Sequence, residues 1–103
     1  MIGELVEFNV PEGTTAEEIL EEARRSLKRW KGYPNLIRKH YLQGVGGVCG
    51  GFYLWENEEA AKEAHDQNWQ NMVEKRTGSR PTFKYFAINM ILDNIEGKVI
   101  ENP

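Results

Sequence analysis

Cysteine occurs once, at Cys49, so no disulfide can staple the chain from within. Neither a histidine nor a second cysteine stands at metal-ligand spacing from it, and the scattered carboxylates add no ligand motif, so a small buried residue is expected there and no metal. An excess of positive charge is also missing: the net charge is -3. The one dense basic run, Arg24, Arg25, Lys28, Arg29 and Lys31, follows Glu17, Glu18, Glu21 and Glu22. Acid before base along a helix complements its dipole, so the run reads as a solvated face, and a nucleic-acid partner is not expected. No apolar stretch approaches ~18 residues and no N-terminal apolar h-region is present, which argues against a membrane span or a signal peptide. A cytoplasmic location is the expectation.

What the 103 residues do contain is enough apolar material for one core. Hydrophobic residues make up 40%, with three Trp, four Tyr and four Phe, which places the chain among globular domains rather than disordered segments and predicts a single domain over 1–103. From Gly3 to Val10 the chain alternates, with Leu5, Glu7 and Asn9 on one side and Val6, Phe8 and Val10 on the other, as a strand does. Thr14 and Thr15, followed by Glu17 and Glu18, form a capping-box pattern. Ile19, Leu20, Ala23, Leu27 and Trp30 then recur at helical spacing up to Gly32.

Leu36–Gln43 and Val48–Trp55 read as two strands joined by the turn at Gly44, Val45, Gly46 and Gly47. The glycines lie between two strands, not between a strand and a helix, so a hairpin is expected rather than a phosphate loop. Asn57 caps a helix carrying Ala60, Ala61, Ala64, Trp69, Met72 and Val73 as far as Arg76. Phe83–Leu92 reads as one long strand that is apolar on both sides. The order strand-helix-strand-strand-helix-strand predicts an α+β, ferredoxin-like βαββαβ fold with an antiparallel sheet. Two helices cover only one face, so the second apolar face calls for a partner, and the expected one is a second copy of the chain. Val99 and Ile100 are placed to add a short edge strand or an arm across that partner.

The stretch Tyr33–Leu42, the Gly-Gly-Phe-Tyr-Leu-Trp-Glu of Gly50–Glu56 and the helix opening Glu58-Glu59-Ala60-Ala61 resemble the YdhR-like mono-oxygenases of the dimeric α+β barrel superfamily. The resemblance covers nearly the whole chain. It implies a homodimer packed through the sheet and oxidation of polycyclic phenols without a cofactor. By position it points to Lys39 and Tyr41 on the second strand and to Gly50, Gly51 and Tyr53 on the third.

An oxygenase without metal or flavin must make its substrate the electron donor by forming a phenolate or enolate, which calls for an apolar pocket, a base or cation, and dryness. Lys39, Tyr41, Tyr53, Trp55 and His65 are the candidate residues for binding a small aromatic molecule. Tyr53, Tyr41 and Trp55 would hold the ring and Lys39 an oxyanion, since a lysine between Ile37 and Tyr41 must reach water or meet an anion. The competing reading makes Tyr53 and Trp55 core or interface aromatics. His40 and His65 are the only histidines, the residue type best suited to serve as a base near neutral pH, and a surface or hydrogen-bonded structural role is expected for each. Two further functions compete with oxygenation: a non-catalytic dimeric binding module, and haem binding through Asn9, Trp69 and His65.

Overall fold

The computed structural model describes residues Met1–Pro103. Its elements are β1 (Ile2–Asn9), α1 (Ala16–Trp30), β2 (Leu36–Gln43), β3 (Val48–Trp55), α2 (Glu58–Ala64), α3 (Gln67–Thr77), β4 (Thr82–Ala87), β5 (Met90–Asp93) and β6 (Lys98–Glu101). The first four strands to pair form one antiparallel sheet in the order β2-β3-β1-β4, the ferredoxin-like arrangement. The helices lie against one side of this sheet, and no helix is long and apolar enough to cross a membrane.

Helix α1 begins as its sequence dictates. The Thr15 side chain accepts from the Glu18 amide while the Glu18 carboxylate accepts from the Thr15 amide, which closes a capping box. Period-2 alternation sets which residues meet the helices. Cys49, Gly51, Tyr53 and Trp55 of β3 are buried beneath them, while Val48, Gly50, Phe52 and Leu54 take the outer face. The core gathers Val6, Trp30, Tyr53, Trp55, Trp69 and Val73 with three alanines of α2.

Two expected elements are divided. The helix predicted from Asn57 to Arg76 breaks at His65, the C-cap of α2, and Asp66 restarts it by accepting from the Trp69 amide. The break occurs because a side-chain cap satisfies the amide that a continuous helix would bond to its own carbonyl. The strand predicted from Phe83 to Leu92 ends at Ala87. After Ile88 and Asn89 the chain leaves the sheet and pairs with itself as the β5-β6 hairpin, which contains Val99 and Ile100. This hairpin is largely solvent-exposed, with Met90, Leu92 and Val99 each more than half so. It lengthens the molecule to 41 Å against 28 and 23 Å in the other directions. The radius of gyration, 14.6 Å, accordingly exceeds the roughly 13 Å of a compact chain of this size.

Candidate functional site

Three levels of the helix-facing side of the sheet form the site. At the base, Glu4 of β1 lies in phase with Val6 and Phe8 and so points into the helical layer, where it is fully buried. Its register neighbours are Tyr53 on β3 and Tyr85 on β4. The carboxylate accepts from Trp55 Nε1 at 2.9 Å. His65 Nδ1 stands 2.9 Å from Oε1 and 3.0 Å from Oε2. A buried carboxylate is retained only with such partners, each charge-assisted bond contributing about 1.5–3 kcal/mol. Burial lowers the His65 pKa from its ordinary value, against the opposing pull of Glu4, so the ring is neutral at pH 7 and donates from Nδ1. Its Nε2 atom is enclosed without a partner.

Above this pair lies an aromatic layer. The His65 ring centroid is 4.3 Å from that of Trp69, 4.6 Å from Tyr53 and 5.2 Å from Trp30. Trp55 stacks on Tyr53 at 5.9 Å with an interplanar angle of 10°. Tyr53 takes this position because β3 has no side chain at Gly51. A Cβ there would stand 2.9 Å from Tyr53 Cε1 and 3.3 Å from Lys39 Cε. Burial first, and then the charge of Glu4, push the Tyr53 pKa well above that of an ordinary tyrosine, so its phenol stays protonated.

The third level is a cleft of about 370 Å³ between α1, α3 and the sheet, half of it lined by hydrophobic residues. Lys39 enters it from β2. Its Nζ lies 4.0 Å from the Tyr41 ring centroid and 4.8 Å from those of Trp30 and Tyr53, a cage of three aromatic faces around one amine. Cation–π contact holds the ammonium weakly, on the order of 0.5–2 kcal/mol per ring. Desolvation, reinforced by the charges of Arg29 and Arg76, brings the Lys39 pKa down to about 7. No carboxylate lies within 4.0 Å of the amine. Tyr41 is fixed by a 2.8 Å hydrogen bond between its hydroxyl and that of Ser26 on α1.

Of the expected site residues, the structure brings Lys39, Tyr41 and Tyr53 together at the cleft. Trp55 and His65 lie beneath it. Trp55 has no exposed surface and, with His65, supports the cage rather than lining the cleft. His65 is not on a helix face with Trp69; it sits at the junction between α2 and α3, yet the two rings are in contact all the same. His40 is exposed on the other side of the sheet, opposite Phe52. Asn9 lies exposed on the side of its strand opposite Phe8, apart from His65, whose Nδ1 is already engaged, so the three residues named for haem are not assembled into a haem site. Glu4, Arg29 and Trp30 escape a reading by composition and motif. Glu4 did carry a signal, since a carboxylate in phase with Val6 and Phe8 must be either exposed or partnered.

Solved structures match this architecture, among them the following three. A protein named YJCS is 14% identical over 86% of this chain and all of its own, with a TM-score of 0.61. A protein of Nitrosomonas europaea assigned as an antibiotic biosynthesis monooxygenase is 15% identical over 84% of this chain and 96% of its own, with a TM-score of 0.62. A mutant of SnoaB, a cofactor-independent oxygenase from Streptomyces nogalater, is 13% identical over 90% of this chain and 97% of its own, with a TM-score of 0.63. No family model matches the chain, and a search of curated proteins finds no match. The chain therefore shares the ferredoxin-like α+β fold of these three proteins. At these identities the likeness is one of fold.

Proposed function

We propose that the chain is a cofactor-independent mono-oxygenase acting on an aromatic or polyphenolic small molecule. The observation that carries this reading is the Lys39 amine, caged by Trp30, Tyr41 and Tyr53 at a cleft and free of any carboxylate. With a pKa of about 7, the amine is partly neutral at physiological pH. It can take the proton of an acidic phenol and, as the ammonium, hold the phenolate that results. An electron-rich anion of this kind can reduce oxygen directly. For a ring methylene the balance is complete without another reductant: one oxygen atom becomes the new carbonyl, and the other leaves as water with the two methylene hydrogens. Trp30 and Tyr53 supply flat apolar faces that orient the ring, and the surrounding hydrophobic layer limits water.

The working unit in this reading is a homodimer packed through the outer sheet face. That face presents Leu5, Phe52 and Leu54, each partly buried, together with Phe86, which is about half exposed. The β5-β6 hairpin would reach from it along a second copy.

An oxygen electrode tests the activity with 1,8-dihydroxyanthrone as substrate. Oxygen uptake above the protein-free rate, lost in Lys39→Met, is the expected result. Binding of the anthrone with no added oxygen consumption would reassign the chain as a non-catalytic binding module.

A further inference from the structure

The charges around the cleft do not match those of the chain. Arg25, Arg29, Lys39 and Arg76 line it against only Glu18 and Glu22, in a protein whose net charge is -3. Both carboxylates are already engaged. Glu18 accepts from the Thr15 amide and hydroxyl at 3.1 and 3.0 Å. Glu22 is shared between Arg25 at 2.9 Å and Arg76 at 3.6 Å. Arg29 and Lys39 remain, two cations lining one cleft, each without a carboxylate within 4.0 Å. Arg29 lies over the Trp30 ring at 5.3 Å, and Lys39 over the same ring at 4.8 Å. Arg29 is exposed at the rim and Lys39 is partly buried over the buried Trp30 ring, so an anion entering the cleft would meet two cations without displacing a carboxylate from either.

We infer that the cleft is built for an aromatic acid: a planar ring laid against Trp30 and Tyr53, with a carboxylate or similar anionic substituent received by Arg29 together with Lys39. This inference rests on the cleft being the ligand site and narrows the substrate class of the proposed oxygenase to phenols that carry an acidic group. It also couples binding to proton uptake. The groups that face Lys39 are Arg29 and Glu22 from α1, Arg76 from α3, Tyr41 from its own strand and Tyr53 from β3, with the Glu4–His65 pair behind Tyr53. Arginines dominate this set, so a bound anion reverses the local sign and favours the ammonium.

The test compares 2-naphthoate with 2-naphthamide, which share ring and shape and differ in charge. Binding is read by quenching of tryptophan fluorescence and by titration calorimetry at pH 8 in buffers of different ionisation enthalpy. Naphthoate should bind at least about tenfold more tightly than the amide, and Arg29→Gln should remove most of that preference by weakening the acid far more than the amide. Naphthoate binding should take up close to one proton in the unaltered protein and none in Lys39→Met. Equal affinity for acid and amide, an Arg29→Gln effect on both ligands alike, or no binding of either would overturn the inference. The two readings fail separately: acid bound selectively without oxygen consumption sinks the oxygenase and spares the acid subsite, whereas oxidation of neutral phenols without acid preference does the reverse.

Discussion

Glu4 and His65 stand 61 positions apart in the chain and share a hydrogen bond of 3.0 Å beneath the aromatic floor of the cleft. The bond ties the first strand to the junction of α2 and α3, so removing either partner disturbs both the fold and the cage above it. Glu4→Ala strands the Trp55 and His65 donors in an apolar interior and should cost about 3–5 kcal/mol. Glu4→Gln keeps an acceptor for Trp55 and should cost about half as much or less. Chemical denaturation of the two variants measures the difference, and equal costs would mean that the carboxylate is not held as described.

His65 should shape the acid limb of stability. Its folded pKa lies below that of the unfolded chain, so between the two values the unfolded state binds more protons. The contribution is complete above about pH 6.5 and falls as pH drops through the folded value. A His65→Phe variant, whatever its stability at pH 7, should show a shallower loss as the pH falls below about 6.5. An unchanged slope would count against a buried neutral imidazole.

Lys39 trades stability for chemistry. The side chain keeps its proton to about pH 10 when unfolded but loses it at about pH 7 when folded, so folding releases a proton in that interval and stability rises with pH across it. Lys39→Met should therefore stabilise the protein at pH 7 by about 2 kcal/mol, the cation–π contacts offsetting part of the gain, and the advantage should shrink toward pH 10. Oxygen uptake by the unaltered protein on the neutral anthrone should climb with pH through about 7 as the free amine forms, a limb absent from the variant, whereas a substrate that carries a carboxylate should move the limb to higher pH by favouring the ammonium.

Two adjacent glycines have separable duties. A Cβ on Gly50 would stand 1.8 Å from the Val6 carbonyl oxygen, so Gly50→Ala must force β1 and β3 apart and should leave little folded protein. At Gly51 the new atom would stand 2.9 Å from the Tyr53 ring and 3.3 Å from both the Lys39 stem and the His40 carbonyl oxygen, so the tightest contact is with a side chain. Gly51→Ala should fold, with circular dichroism close to that of the unaltered chain, but lose about tenfold in ligand affinity as the cage shifts.

The proposed homodimer is tested at Phe86. A charge at this half-exposed position on the outer face lies far from the cleft, so Phe86→Glu should give a monomer by sedimentation velocity while the single chain keeps its helical signal. An unaltered protein that sediments as a monomer at micromolar concentration would remove the basis for a working homodimer.

How much of this was legible beforehand differs by level. The alternation in β1 and β3, the Thr15 capping box and the glycine turn depend on neighbours a few residues apart, and these were readable because period and turn chemistry are local. The division at His65–Asp66 was not, since the apolar stripe from Ala60 to Val73 continues through it and only the Asp66 cap distinguishes two helices from one. The end of β4 at Ala87 escaped for a similar reason: Met90, Ile91 and Leu92 keep the strand pattern after the chain has left the sheet.

By itself the sequence determined the elements from β1 to β3, the apolar helix-facing side of the sheet and the presence of Lys39 among aromatics, because each follows from composition and spacing along a few turns of backbone. Tertiary structure alone decided that Lys39 faces the helices, that Trp30 from α1 completes its cage, and that Glu4 meets His65. Burial in a shared low-dielectric layer is what turns an ordinary lysine, carboxylate and imidazole into a site, and that layer exists only once segments far apart in the chain have packed together.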